Sequence, residues 1–66
     1  MVKMTQVRSG SIVLVRGGFG SGMTMRGTVD SVEADIKNGQ PGIDYTTDAG
    51  DMHWAYLEQI VRVEKF

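Results

Sequence analysis

Apolar residues in this chain recur at every second position, in short runs that end at glycine or another turn-forming residue. A period of two places side chains on alternate sides of an extended strand, whereas a helix requires a period near 3.6. Ile43, Tyr45 and Thr47, for example, alternate with polar residues. The pattern predicts an all-β fold with almost no helix.

Five short strands and one 3₁₀ turn account for most of the chain. The strands are predicted at 11–16, 24–34, 43–47, 52–56 and 61–63, and the 3₁₀ turn at 57–60. Asn38-Gly39 is typical of a two-residue hairpin turn, and the glycines of 17–22 predict a loop. Short antiparallel strands joined by tight turns predict a five-stranded SH3-like barrel, with a single 3₁₀ turn before the last strand.

The alternation also predicts which side chains fill the core. A bulge at Asp30-Ser31 would bring Val29 and Val32 to the same side of their strand. The predicted core is Ile12 or Val13, Leu14 or Val15, Val29, Val32, Ile43, Tyr45, Trp54, Leu57, Ile60 and Val61. The four consecutive apolar residues of 12–15 predict a strand that is covered on both faces.

The chain has 66 residues and no cysteine. This length predicts one domain over 1–66, with an extended N-terminal arm at 1–9, that buries only about 60% of its unfolded surface. Without cysteine, neither disulfides nor thiolate-bound metals stabilise such a small core, which leaves self-association. No apolar run approaches the ~20 residues of a membrane span, and the N-terminus lacks the apolar segment of a signal peptide. We therefore expect a cytoplasmic protein.

The formal net charge of −1 hides an uneven distribution. Residues 1–20 hold Lys3, Arg8 and Arg16 with no acid, whereas residues 21–50 hold five acids and two bases. The sequence therefore predicts a modest basic patch at one end of the molecule and an acidic middle.

Two glycine-led segments carry a resemblance to a known family. Gly10 to Phe19 is a glycine, a valine-containing strand and a glycine-rich loop, and 27–32 has the pattern Gly-x-Val-x-x-Val. Over roughly residues 10–33 the chain resembles the KOW-type SH3-like barrels of NusG-type elongation factors and several ribosomal proteins. The stretch from Trp54 to Val63 resembles the closing strand and 3₁₀ turn of small barrels. The resemblance implies a module that contacts RNA, a ribosomal partner or RNA polymerase.

A weaker resemblance is to plasmid-borne, trimethoprim-resistant dihydrofolate reductases, which are short SH3-like chains assembled as tetramers around a pore. Their active site depends on a Val-Gln-Ile-Tyr strand, and the corresponding stretch here is Met52-His53-Trp54-Ala55-Tyr56. No catalytic residue is therefore carried over. The chain is also similar to small proteins of phages and mobile elements.

No constellation of side chains predicts catalysis, a cofactor or a metal. The only histidine, His53, lies near Asp48 and Asp51 in sequence. No cysteine, and no serine in a sharp turn, supplies the nucleophile of a triad, and one histidine with scattered acids is too few ligands for a metal. The glycines of 17–22 lack the lysine and the helix of a phosphate-binding P-loop. The acids are typical of solvated strand edges and turns.

Aromatic and basic residues supply the candidate contacts with a partner. Aromatic side chains on neighbouring strands stack bases or line a peptide groove, or else they fill the core. A phenylalanine among glycines is either pinned to the end of the barrel or displayed, and two arginines flank the same loop. The predicted partner-binding residues are Arg16, Phe19, Arg26, Tyr45, Trp54 and Tyr56.

These observations favour a non-catalytic binding module whose partner is a protein or RNA, with no enzyme activity and no membrane contact. One alternative is a structural homo-oligomer, in which paired barrels bury the second face of 12–15 and the abundant methionines, whose flexible side chains suit adaptable contacts. A pore-type oligomeric reductase is the other alternative.

Overall fold

Five antiparallel strands form one sheet in the computed structural model, which describes residues 2–17 and 23–66. The strands are β1 (Ile12–Arg16), β2 (Thr24–Lys37), β3 (Gln40–Thr47), β4 (Met52–Tyr56) and β5 (Ile60–Lys65), with 3₁₀ turns at Met4–Gln6 and Leu57–Gln59. The predicted all-β class is confirmed, as is the 3₁₀ turn before the last strand. No helical segment in the described part of the chain is long and apolar enough to cross a membrane.

The strand order across the sheet is β4-β3-β2-β1-β5. Among the described residues β4 and β5 are therefore the two edges, and no pairing between them closes the sheet into a barrel. The order follows from hairpin connections between β1, β2, β3 and β4, and from the 3₁₀ turn that carries the chain from β4 across to β5.

Asn38 and Gly39 produce the hairpin between β2 and β3. Both residues have positive φ, 55° and 73°, which is the backbone conformation that a type I′ turn requires. The N–H of Gly39 also donates to Asp35 Oδ1 at 2.8 Å, and Lys37 pairs with Gln40 across the turn. The predicted hairpin is confirmed, and its tightness lets both strands run further than the sequence pattern predicts.

A bulge at Asp30 bends β2 over the core. Val29 and Ser31 pair with consecutive residues of β3, so Asp30 is an extra residue on its strand. The bulge keeps Val29 buried and lets Val32 pack against the core from the same side. The predicted bulge is confirmed, and it leaves Asp30 exposed to solvent beside β3.

Nine apolar side chains form the core, and the predicted members dominate it. The buried set is Val7, Val13, Val15, Val29, Ile43, Tyr45, Ala55, Leu57 and Ile60. Of the alternatives on β1, Val13 and Val15 face inward, whereas Ile12 and Leu14 are half-buried on the outer side. Val7 and Ala55 were not among the predicted core residues.

The prediction that Trp54 and Val61 belong to the core is wrong. Trp54 is 43% exposed and Val61 is 46% exposed. Successive strand residues point to opposite faces, and β4 turns Ala55 inward, so its neighbour Trp54 points outward. β5 likewise turns Ile60 inward, which leaves Val61 on the outside.

Residues 2–9, which belong to the segment predicted as an extended arm, contain the other 3₁₀ turn and pack into the core through Val7. Val7 is 4% exposed within the core. Ser11 Oγ accepts a hydrogen bond from the N–H of Arg8 at 2.9 Å and donates to the carbonyl oxygen of Phe66 at 3.0 Å. The guanidinium of Arg8 lies 4.3 Å from the centroid of the Phe66 ring, so a cation–π contact adds to this attachment.

Candidate functional site

The outer side of β2, β3 and β4 carries a connected surface of acids, hydroxyls and apolar groups. We call it the acidic–aromatic face and define it by Asp30, Ser31, Asp44, Thr46, Met52 and Trp54. The strand register creates it, because Trp54 lies opposite Asp44 and Met52 lies opposite Thr46. Together with His53 these residues line a shallow depression of about 540 Å³. Ile43, Tyr45 and Ala55 alternate with the residues of the face and are buried below it, whereas His53 is exposed.

Two hydroxyl groups hold the carboxylates of this face in place. Thr46 Oγ1 donates to Asp30 Oδ2 at 2.8 Å, and Ser31 Oγ donates to Asp44 Oδ2 at 3.0 Å. An ionised carboxylate offers about four acceptor positions, so each acid keeps unused ones. Within residues 2–17 and 23–66, no three histidines or acids gather closely enough to hold a metal. The face therefore presents two fixed anionic acceptors to donors brought by another molecule.

The indole of Trp54 forms the apolar centre of the face. Tyr56 meets it edge-to-face, with ring centroids 5.1 Å apart and planes at 88°, a favoured aromatic geometry. Lys37 Nζ lies 5.2 Å from the indole centroid, within the range at which a cation is attracted to the ring face. Met52, next on the same side of β4, is 80% exposed. The face thus already receives a cation from its own chain.

Charge is divided between the two halves of the sheet. Residues 30–56 contain six acids and one lysine, a formal charge of −5. The rest of the chain contains six bases and two acids, a formal charge of +4. The acidic half contains all of β3 and β4 and the second part of β2, residues 30–37, whereas the first part of β2 carries Arg26. The field of the acidic half attracts cationic groups over a distance of about 8–10 Å at physiological salt.

Arg16 and Arg26 lie on the other half of the sheet. Arg16 ends β1, and Arg26 lies on β2 opposite Leu14. Arg26 Nε is 3.0 Å from Glu64 Oε1, and a terminal nitrogen of Arg62 is 3.0 Å from Glu64 Oε2. One carboxylate therefore neutralises part of this basic cluster. The structure does not bring the two predicted arginines to the acidic–aromatic face.

The predicted aromatic residues separate into different environments. Trp54 and Tyr56 lie on the outer side of β4, Trp54 exposed and Tyr56 half-buried. Tyr45 is 2% exposed at the centre of the core, and this burial raises the pKa of its phenol. Phe19, the remaining predicted contact, lies outside the described residues.

Asp30, Asp44 and Met52 are not among the binding residues predicted from the sequence. Taken one at a time, such acids are typical of solvated strands. The available signal was parity, since Asp44 and Thr46 alternate with two core residues of β3 and must therefore share the outer side. Which side chains of β4 join them depends on the register between two strands, which the local pattern does not contain.

The fold and the face define a small all-β protein with an acidic and aromatic outer surface. No protein-family model, no curated protein and no solved structure matches the chain. The resemblance to KOW-type barrels therefore depends on its glycine and valine segments alone.

Proposed function

We propose that this chain is a non-catalytic, SH3-like binding module of the cytoplasm that holds a basic segment of a partner protein on its acidic–aromatic face. One observation carries the proposal: Lys37 Nζ lies 5.2 Å from the exposed indole of Trp54. A ring face that attracts the chain's own ammonium group attracts a partner's lysine or arginine by the same physics. The unused acceptor positions of Asp30 and Asp44 then pair with the donors of that cation.

The order of the strands supports the SH3-like part of the proposal. β1 pairs with both β2 and β5, β2 is long and bent, and a 3₁₀ turn connects β4 to β5. The segments that resemble KOW-type modules fall on β1 and the first half of β2. The acidic–aromatic face lies instead on β3, β4 and the part of β2 that begins at Asp30. The proposed contact surface is therefore argued from this structure and not from the resemblance to KOW-type modules.

Charge favours a protein partner over RNA. The formal charge of −5 over residues 30–56 repels phosphates from the exposed aromatic side chains. On the basic half, Arg26 is paired with Glu64, and a phosphate would have to compete with that carboxylate. Non-specific nucleic-acid binding depends on several such contacts at once.

The test is the binding of a capped octapeptide in which arginine alternates with threonine, here called the arginine peptide, measured by isothermal titration calorimetry. We expect saturable binding to the wild-type protein that weakens as salt is added. Asp30→Asn with Asp44→Asn keeps both hydroxyl hydrogen bonds but removes two charges from the face. Exposed ion pairs contribute about 0.2–1 kcal/mol each, so the double variant should bind at least about twofold more weakly.

Asp48→Asn with Glu58→Gln is the matched control, because it removes two acidic charges outside the face. This control should bind the arginine peptide almost as well as the wild type does. Equal losses in both double variants would show that only net charge matters, and the proposed face would be wrong. A different result would assign the function to the basic half: the wild-type protein binds single-stranded RNA but not the arginine peptide, and the double variant Arg16→Ala with Arg26→Ala no longer binds the RNA.

A further inference from the structure

β4 is an edge strand that lacks the usual protection against pairing with another chain. Its residues, Met52–Tyr56, include no lysine, arginine, acid or proline, whereas the opposite edge, β5, carries Arg62, Glu64 and Lys65. Natural sheets commonly guard their edges with charged side chains or proline. Within the part of the chain that the structure describes, β3 is the only strand that pairs with β4, so the opposite hydrogen-bonding edge of β4 is open.

Two hydrogen bonds show which backbone groups of β4 face this open edge. The N–H of Tyr56 donates to Gln59 Oε1 at 2.9 Å and therefore does not point toward β3. At the other end of the hairpin, the N–H of Thr47 donates to the carbonyl oxygen of Asp51 at 2.8 Å. Thr47 and every second residue before it on β3 therefore direct their backbone N–H and C=O groups toward β4. Hydrogen-bonded and non-hydrogen-bonded pairs alternate along an antiparallel ladder. Met52 and Trp54 therefore direct their own N–H and C=O groups outward.

The residues with outward backbone groups also carry the exposed side chains of the acidic–aromatic face. A residue added opposite Trp54 in an antiparallel ladder would place its side chain on the same side as the indole. That residue would lie two strand spacings, about 10 Å, from the backbone of Asp44 on β3. A long cationic side chain lying across the indole spans most of this distance, as the position of Lys37 over the same ring illustrates.

We infer that the basic partner segment binds as an additional strand, antiparallel to β4, with a cationic side chain at every second residue over the acidic–aromatic face. This inference rests on the proposed function and adds the geometry of the partner: an extended chain with alternating lysine or arginine. Charge complementarity selects this occupant. A second copy that paired through its own β4 would bring another half with a formal charge of −5 to the same edge.

N-methylation of the arginine peptide tests the added strand, because a methylated nitrogen cannot donate to β4. One peptide is methylated on the arginine nitrogens and a second on the threonine nitrogens. Antiparallel pairing directs the arginine N–H groups toward Met52 and Trp54 and the threonine N–H groups away. We expect arginine methylation to weaken binding at least about fivefold, as the loss of two hydrogen bonds implies, and threonine methylation to change it little.

Amide hydrogen exchange of the same complexes supplies a second measurement. The unmodified peptide should slow exchange at Met52 and Trp54, and leave His53 and Ala55, which already face β3, nearly unchanged. Tight binding of both methylated peptides without new protection would overturn the added strand while leaving the proposed function intact. Failure of the unmodified peptide to bind would overturn both. Protection that grows with protein concentration in the absence of peptide would assign the edge to a second copy and overturn the inference.

Discussion

Gly27 is the position at which a single methyl group tests the packing of β2 on β3. A Cβ atom there would lie 2.6 Å from the carbonyl oxygen of Thr46 and 2.7 Å from Cδ2 of Tyr45. Thr46 is held by the β2–β3 pairing, and Tyr45 is 2% exposed, so neither group yields easily. We expect Gly27→Ala to lower the free energy of unfolding by about 1–3 kcal/mol, the range observed for overpacked cores.

Thermal unfolding followed by circular dichroism measures this loss. In a domain of this size each kcal/mol lowers Tm by about 4–8 °C, so Tm should fall by roughly 5–20 °C. Thr28→Ala, at the exposed neighbouring position, is the matched control and should change stability by less than about 0.5 kcal/mol. If the Gly27→Ala and Thr28→Ala variants have the same Tm, the close approach of β2 and β3 at Gly27 is refuted.

Three further predictions concern the hairpin, the core and the face. Gly39→Ala places a Cβ at a φ of 73° and should cost about 1–2 kcal/mol, seen as a lower urea midpoint with an unchanged m-value. Burial raises the pKa of Tyr45 above its ordinary 10.0, so the folded protein retains this proton more tightly than the unfolded chain does. The free energy of unfolding should therefore fall as pH rises above about 10, and Tyr45→Phe should remove that fall in urea titrations at alkaline pH. Lys37→Ala should strengthen binding of the arginine peptide by about twofold or more, because it vacates the indole of Trp54, whereas Lys65→Ala, the same charge change on β5, should have little effect.

The hairpin and the bend of β2 are predictable because each has a local cause. Asn38 and Gly39 are the residue types that adopt positive φ at low cost. Val29 and Val32 have opposite parity, so an extra residue between them is the simplest way to bury both. The turn-forming residues Pro41 and Gly42 predict that 40–42 belongs to the turn. Pairing with β2 and β4 makes this stretch part of β3 instead.

The orientation of β4 is not predictable from its own residues. Met52, Trp54 and Tyr56 are the larger apolar groups, and pattern alone favours turning them inward. In the structure Ala55 faces the core instead, because its position is fixed by register with β3 and by the entry of Leu57 into the core. The acidic–aromatic face combines side chains from three strands. Its composition therefore also depends on the register between strands, which the local sequence does not specify.

The fluorescence emission of Trp54, the only tryptophan of the chain, is the decisive test of the orientation of β4. The indole is 43% exposed on the acidic–aromatic face, so acrylamide should quench it strongly, and its emission maximum should be that of a solvent-exposed tryptophan. Addition of the arginine peptide should reduce the quenching, because the bound peptide covers the ring. Blue-shifted emission that acrylamide does not quench in the folded protein would place Trp54 in the core. The orientation of β4 would then be reversed, and the proposed face would not exist.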